Sequence, residues 1–98
     1  MINSKQRAML RALANPIETI FQVGKGGIGG QLLTQVDEAL EKRELIKLRV
    51  LESSGITAKD AAQEIANGVS AEVVQVIGSR FVLFRESANE KNRQIRLK

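Results

Sequence analysis

Residues 18–51, ETIFQVGKGGIGGQLLTQVDEALEKRELIKLRVL, decide the fold because the residue pattern changes three times along them. The first six residues are largely β-branched or aromatic, which predicts a strand. A loop with five glycines follows at positions 24–30, and apolar residues then recur every three or four positions from Leu32 to Leu40, which predicts a helix. Residues 45–51 alternate apolar with basic side chains and predict a second strand with one buried face. This order predicts a right-handed crossover.

A short amphipathic helix is predicted before this unit, over residues 4–14. Asn3 or Ser4 can cap its first turn, because short polar side chains accept hydrogen bonds from the first amides of a helix. Pro16 ends it, because proline disfavours helical geometry in the preceding Asn15. One face of this helix is basic.

A third helix is predicted over residues 57–68. Thr57 and Asp60 have the spacing of a helix cap, and small apolar residues recur at helical positions after them. Asn67 and Gly68 supply the exit from the helix.

Residues 71–77 and 80–86 are two apolar runs separated by Gly78-Ser79, a dipeptide typical of two-residue β-hairpins. They predict an antiparallel pair. The complete order is α-β-α-β-α-β-β, which predicts an α/β protein of the two-layer α+β type with a four-stranded mixed sheet. Three short helices cannot cover both faces of that sheet, so part of one face is expected to stay exposed to water.

Composition narrows the class of protein. A chain of 98 residues without an internal linker or repeat predicts a single domain over 1–98, with a loose basic tail at 86–98. It has no Cys and no His, so the usual zinc and haem ligands and the usual nucleophile pairs are missing. The absence of Cys, of long apolar runs and of an apolar N-terminal segment predicts a cytoplasmic protein. A net charge of +4 favours a polyanionic partner.

One interpretation of the glycine loop is a dinucleotide-cofactor site. Residues 24–29 match the GxGxxG pattern of dinucleotide sites and follow a predicted strand. The acidic residue expected about 20 positions later is missing, since the second strand carries Lys47 and Arg49 there. No nucleotide cofactor is therefore predicted.

Two other interpretations of the loop remain open. Residues 24–27 form a GxxG turn, in which bare main chain, the first amides of the next helix and the charge of Lys25 can hold a sugar-phosphate backbone. Alternatively the loop is only a structural turn, in which Gly24 supplies a positive φ and Gly29 or Gly30 caps the helix. Nearby cations favour the first interpretation: Lys47 and Arg49 on the second strand, and Arg7 and Arg11 on the first helix.

Three stretches together resemble a known family: SKQRAMLRALANPIETIFQVG at 4–24, VGKGGIGGQLLTQVDEALEKRELIKLRVL at 23–51 and VVQVIGSRFVLFR at 73–85. They are similar to the CRM domain (chloroplast RNA splicing and ribosome maturation) in its bacterial single-domain, YhbY-like form. The resemblance implies a fold similar to the C-terminal domain of translation initiation factor three. It also implies RNA binding through the GxxG loop and an adjoining basic surface, and association with precursors of the large ribosomal subunit.

We therefore expect a non-enzymatic RNA-binding protein that binds rRNA in precursor large subunits and assists their assembly. It is expected to be a monomer, with no catalytic residue, metal, cofactor, membrane contact or small-molecule substrate. Its expected RNA-contacting residues come from the loop, the second strand, the first helix and the position after the last strand: Gly24, Lys25, Gly26, Gly27, Lys47, Arg49, Arg7, Arg11 and Arg85. The alternatives are an Alba-like dimer that coats DNA or RNA, and a protein-interaction adaptor that uses an open sheet edge.

Overall fold

The structure is a computed structural model that describes residues 2–97. In that part of the chain the elements follow the expected order. They are α1 (Ser4–Ala14), β1 (Thr19–Val23), α2 (Gly30–Arg43), β2 (Leu45–Val50), α3 (Ala58–Val69), β3 (Glu72–Ile77) and β4 (Arg80–Phe84), with short 3-10 turns at Glu52–Ser54 and Glu90–Asn92. None of the helices within these residues is long and apolar enough to cross a membrane.

The four strands form one mixed sheet in the order β1-β2-β4-β3. β1 and β2 run parallel, as expected for strands joined by a helix, and β4 runs antiparallel to both of its neighbours. The hairpin at Gly78, whose φ is 58°, returns β4 into the position between β2 and β3. The predicted α/β fold class with a mixed sheet is confirmed.

The two faces of the sheet are covered unequally. α2 and α3 cover one face and bury the larger apolar cluster, to which Ile46 and Leu48 of β2 contribute. Of the three helices, only α1 packs on the other face, where Leu10 joins a smaller cluster around Val82 and Phe84. Eleven helical residues extend only about 16 Å, so α1 leaves part of this second face uncovered, as the sequence predicts.

Most helix ends follow local sequence. Asn3 caps α1 through its side chain and forms a capping box with Gln6, and Thr57 caps α3 by accepting from the amide of Asp60. The predicted exit of α3 at Gly68 is wrong, because the helix continues to Val69 and Ser70 caps it. A Cβ on Gly68 would lie 3.1 Å from Leu33 Cδ2, so this glycine serves close packing between α3 and α2.

The segment after β4 differs from the loose tail that the sequence predicts. The fully buried carboxylate of Glu44 accepts hydrogen bonds from the backbone amides of Ser87 (2.8 Å), Gln94 (2.7 Å) and Ile95 (3.2 Å). Ile95 and Leu97 then pack on the smaller apolar cluster. A contact between residues about fifty positions apart thus holds this segment against the domain.

Candidate nucleic-acid interface

The GxxG motif forms a tight turn directly after β1. The amide of Gly27 donates to the carbonyl oxygen of Gly24 over 2.9 Å, which closes the turn around Lys25 and Gly26. The positive φ of the loop, 70°, belongs to Gly27. The expectation that Gly24 supplies it is therefore wrong, because the left-handed residue is the one that leads out of the turn toward α2.

Packing does not explain the glycines in the rest of the loop. A Cβ added to Gly26, Gly29 or Gly30 would meet no other atom within 4 Å, and Lys25 and Gly26 are exposed. Local packing would therefore accept alanine at Gly26 without a shift of its neighbours. The loop presents bare main chain to solvent.

The start of α2 adds backbone donors beside this turn. Gly29 is the N-cap residue, as one interpretation of the sequence predicts, and it has no side chain to accept from the first helical amides. The first turn of α2 contains no acidic residue. Unsatisfied amides at a helix N-terminus attract anions, so the loop and the helix start favour negative charge at the same place.

Backbone hydrogen bonds hold the glycine loop at one end of the sheet, together with the end of β2 and the β3–β4 hairpin. Leu51 donates to the carbonyl of Val23 over 2.9 Å, and Val50 donates to that of Ser79 over 2.7 Å. The loop after β1, the end of β2 and the β3–β4 hairpin therefore lie together. On β2 and β4, the residues nearest the loop are therefore those at the end of β2 and the start of β4.

Three cations on β2 and β4 form what we call the basic face: Lys47, Arg49 and Arg80. Arg49 and Arg80 lie near the loop end of the sheet, and Lys47 lies farther along β2, opposite Thr19 at the start of β1. Lys47 and Arg49 alternate with the buried Leu48 and so lie on the uncovered face, as predicted. Arg80 lies directly opposite Arg49 across the antiparallel pair and joins them. Sequence reasoning missed Arg80, although its alternation with the buried Phe81 in a strand that follows a hairpin would have indicated its face.

The charges of the basic face are not neutralised within the part of the chain that the structure describes. No ion pair among residues 2–97 includes Lys47, Arg49 or Arg80. The polar contact of Arg80 is a 3.4 Å hydrogen bond from its Nε to the hydroxyl of Thr19. Like charges directly opposite each other destabilise a sheet, so this arrangement opposes folding and favours an anionic partner.

One of the two predicted contact residues on α1 has structural partners instead. Arg7 donates to the carbonyl oxygens of Val73 and Val74 and so fixes α1 to the edge strand β3. Arg11, one turn later on α1, is exposed. The structure therefore leaves only Arg11 of this pair available to a partner.

Arg85 is held at the opposite end of the sheet from the glycine loop. Its guanidinium contacts Asp37 Oδ1 (2.6 Å), Glu41 Oε1 (3.2 Å) and the carbonyl oxygen of Val69 (2.7 Å). Hydrogen bonds from the backbone amide of Ala88 and the hydroxyl of Ser87, with the Arg85 charge, hold the pKa of Glu41 below its usual value. Arg85 thus joins α2, α3 and the C-terminal segment.

Comparison with known proteins places this chain in a family. The family model described as the CRS1 / YhbY (CRM) domain matches residues 2–85. The "Probable RNA-binding protein YqeI" of Bacillus subtilis is 42% identical over 99% of both chains. The "Probable RNA-binding protein MJ0652" of Methanocaldococcus jannaschii is 35% identical over 86% of this chain and 63% of its own length.

A solved structure supports the same relation. The solution structure of a Staphylococcus aureus protein, described as "a putative RNA binding protein", superposes with a TM-score of 0.74. It covers 98% of this chain and 100% of its own, at 40% sequence identity.

Proposed function

Because the chain belongs to the CRS1/YhbY (CRM) domain family, we propose that it is an RNA-binding protein. Its glycine loop and basic face hold the sugar-phosphate backbone of a structured RNA. Lys25 and the amide of Gly26 contact phosphates at the turn, since the amide of Gly27 already donates to the carbonyl oxygen of Gly24. The three cations of the basic face extend the contact along the sheet. Gly24 shapes the turn, and Arg11 supplies a further cation.

One observation carries this proposal: the bare main chain of the loop and the uncompensated charges of Arg49 and Arg80 lie at the same end of the sheet, since Arg49 pairs with Gln22, two residues before Gly24. Either feature alone has an ordinary explanation, since glycines make turns and surface cations aid solubility. Together they match the two requirements of a polyanion, close approach to backbone amides and neutralisation of several phosphates. We leave Arg7 and Arg85 out of the contact surface because their guanidinium groups hold the fold together.

The partner that we propose is rRNA in precursors of the large ribosomal subunit, where a monomer of this protein assists assembly in the cytoplasm. The support is the family resemblance in three separate stretches of the sequence. No catalytic step is included, since a chain without His or Cys lacks the usual nucleophile pairs. Binding to shape and backbone fits a composition with 3% aromatic residues, which offers few platforms for base stacking.

The experiment is crosslinking in living cells, followed by sequencing of the attached RNA, with three versions of the full chain. Wild type should enrich immature large-subunit rRNA over mature rRNA and mRNA. Lys25→Ala should lower the crosslinked yield severalfold, by roughly the contribution of one phosphate contact. Lys91→Ala is the matched control, because this exposed lysine lies in the C-terminal segment beyond the far end of α2, roughly 20 Å from the loop.

Three results would count against the proposal. Enrichment of RNA other than immature large-subunit rRNA would remove the ribosomal partner. Equal yields from the two lysine variants would remove the loop from the contact. Equal recovery of DNA by a dimeric protein would favour the Alba-like alternative, and recovery of neither nucleic acid would favour the adaptor.

A further inference from the structure

A shallow groove of about 160 Å³ opens on the basic face between the end of α1 and the β3–β4 hairpin. Its lining combines two side-chain amides, Asn15 and Gln75, two cations, Lys47 and Arg80, and the exposed Ile77. The buried Phe81 and Val82 complete the lining. The cations suit a phosphate, and the amides suit a different part of a ligand.

A β-bulge in β3 brings two residues of this lining, Gln75 and Ile77, to the groove. The register of β3 against β4 shifts between Val73, which lies opposite Leu83, and Gln75, which lies opposite Val82. Without the extra residue, strict alternation would turn Gln75 and Ile77 toward α2 and α3. The bulge turns both onto the basic face instead, and bulges of this kind commonly re-aim side chains at functional sites.

The side chains of Asn15, Gln75 and Ile77 are available to a ligand. Within residues 2–97 the side-chain amides of Asn15 and Gln75 have no protein hydrogen-bond partner. Ile77 is 62% exposed, more than the other large apolar side chains that the structure shows at the surface. An amide offers both donors and an acceptor, and the edge of a nucleobase needs both.

From these observations, and resting on the proposed function, we infer that the groove holds one unpaired nucleotide of the bound RNA. Ile77 contacts the face of the base, and the amides of Asn15 and Gln75 form hydrogen bonds with its edge. Lys47 and Arg80 contact the flanking phosphates. The glycine loop and Arg49 then hold the backbone of the adjoining stem.

A fully paired stem cannot fill the groove in this way. The bases of an A-form duplex are stacked, and its major groove is too deep and narrow for side chains to read. A nucleotide in a bulge or loop exposes both its face and its edge. The substrate class is therefore structured RNA with an unpaired nucleotide beside a stem.

The test compares two RNA hairpins of the same sequence, one with a single unpaired nucleotide in its stem and one fully paired. Affinities are measured by fluorescence anisotropy for wild type and for the double variant Asn15→Ala, Gln75→Ala. Wild type should prefer the bulged hairpin by about fivefold or more, as expected for contacts to one base. The double variant should lose this preference and keep its affinity for the paired hairpin.

Gln63→Ala is the matched control, since this exposed glutamine lies on α3, on the other side of the sheet. It should keep the wild-type preference, and melting curves should show that all variants fold. Equal wild-type affinity for both hairpins, or a preference that survives in the double variant, would overturn the inference and leave the proposed function standing. Failure to bind either hairpin would instead remove the proposed function itself.

Discussion

Glu44→Ala should lower the free energy of unfolding by about 3 kcal/mol and the melting temperature by more than about 10 °C. The buried carboxylate accepts from three backbone amides of the C-terminal segment. Its removal leaves these donors unsatisfied or releases the segment, which then exposes Ile95 and Leu97. Chemical denaturation monitored by circular dichroism measures the loss.

A second variant, Glu44→Gly, and a protease assay separate the loss of the hydrogen bonds from the relief of backbone strain. Glu44 has a φ of 65°, which glycine adopts without cost, so Glu44→Gly should be less harmful than Glu44→Ala by about 1 kcal/mol. Trypsin should cleave the released segment of both variants after Lys91 and Arg93 much faster than in wild type. Wild-type stability and protease resistance in Glu44→Ala would show that Glu44 does not hold the segment.

Replacing all three cations of the basic face should weaken RNA binding without lowering the free energy of unfolding. The triple variant Lys47→Gln, Arg49→Gln, Arg80→Gln should bind structured RNA about 100-fold more weakly at physiological salt, with a salt slope smaller by about two. Its stability should equal or exceed that of wild type, because the repulsion across the Arg49–Arg80 pair is removed. Glutamine keeps an apolar stem on the sheet, so packing is preserved.

The matched control removes the same charge elsewhere. Replacing Lys42, Lys91 and Arg96 by glutamine also lowers the net charge from +4 to +1, since three positive charges are lost in each triple variant. These exposed residues lie in the last turn of α2 and in the C-terminal segment. If both triple variants lost RNA affinity equally, only the total charge would matter and the basic face would have no special role.

Local sequence predicts most of this fold because local chemistry determines it. The caps at Asn3 and Thr57, the hairpin at Gly78 and the alternation of β2 depend on residues within a few positions of one another. The position of Lys47 on the uncovered face follows from the same alternation. These predictions need only the residue period of each element and the short length of the helices.

The parts that sequence reasoning missed depend on contacts between distant residues. Gln75 reaches the basic face through a bulge, which cannot be read from residue period. Alternation gives the face of Arg80, but its place beside Arg49 depends on the insertion of β4 between β2 and β3. Arg85 is a loop cation in sequence, and only packing shows that carboxylates of α2 hold it. The C-terminal segment is polar and basic in sequence, and it packs through contacts with the distant carboxylates of Glu41 and Glu44.

The most direct test of backbone recognition at the loop is the RNA affinity of Gly26→Ala beside that of Gly30→Ala. Neither new methyl group meets an atom within 4 Å, so both variants should melt at or slightly above the wild-type temperature. Gly26→Ala should weaken binding about tenfold, because its methyl group keeps a phosphate from the amides of the turn. Gly30→Ala, already within α2, should bind within about twofold of wild type. Wild-type affinity in Gly26→Ala would contradict recognition through bare main chain.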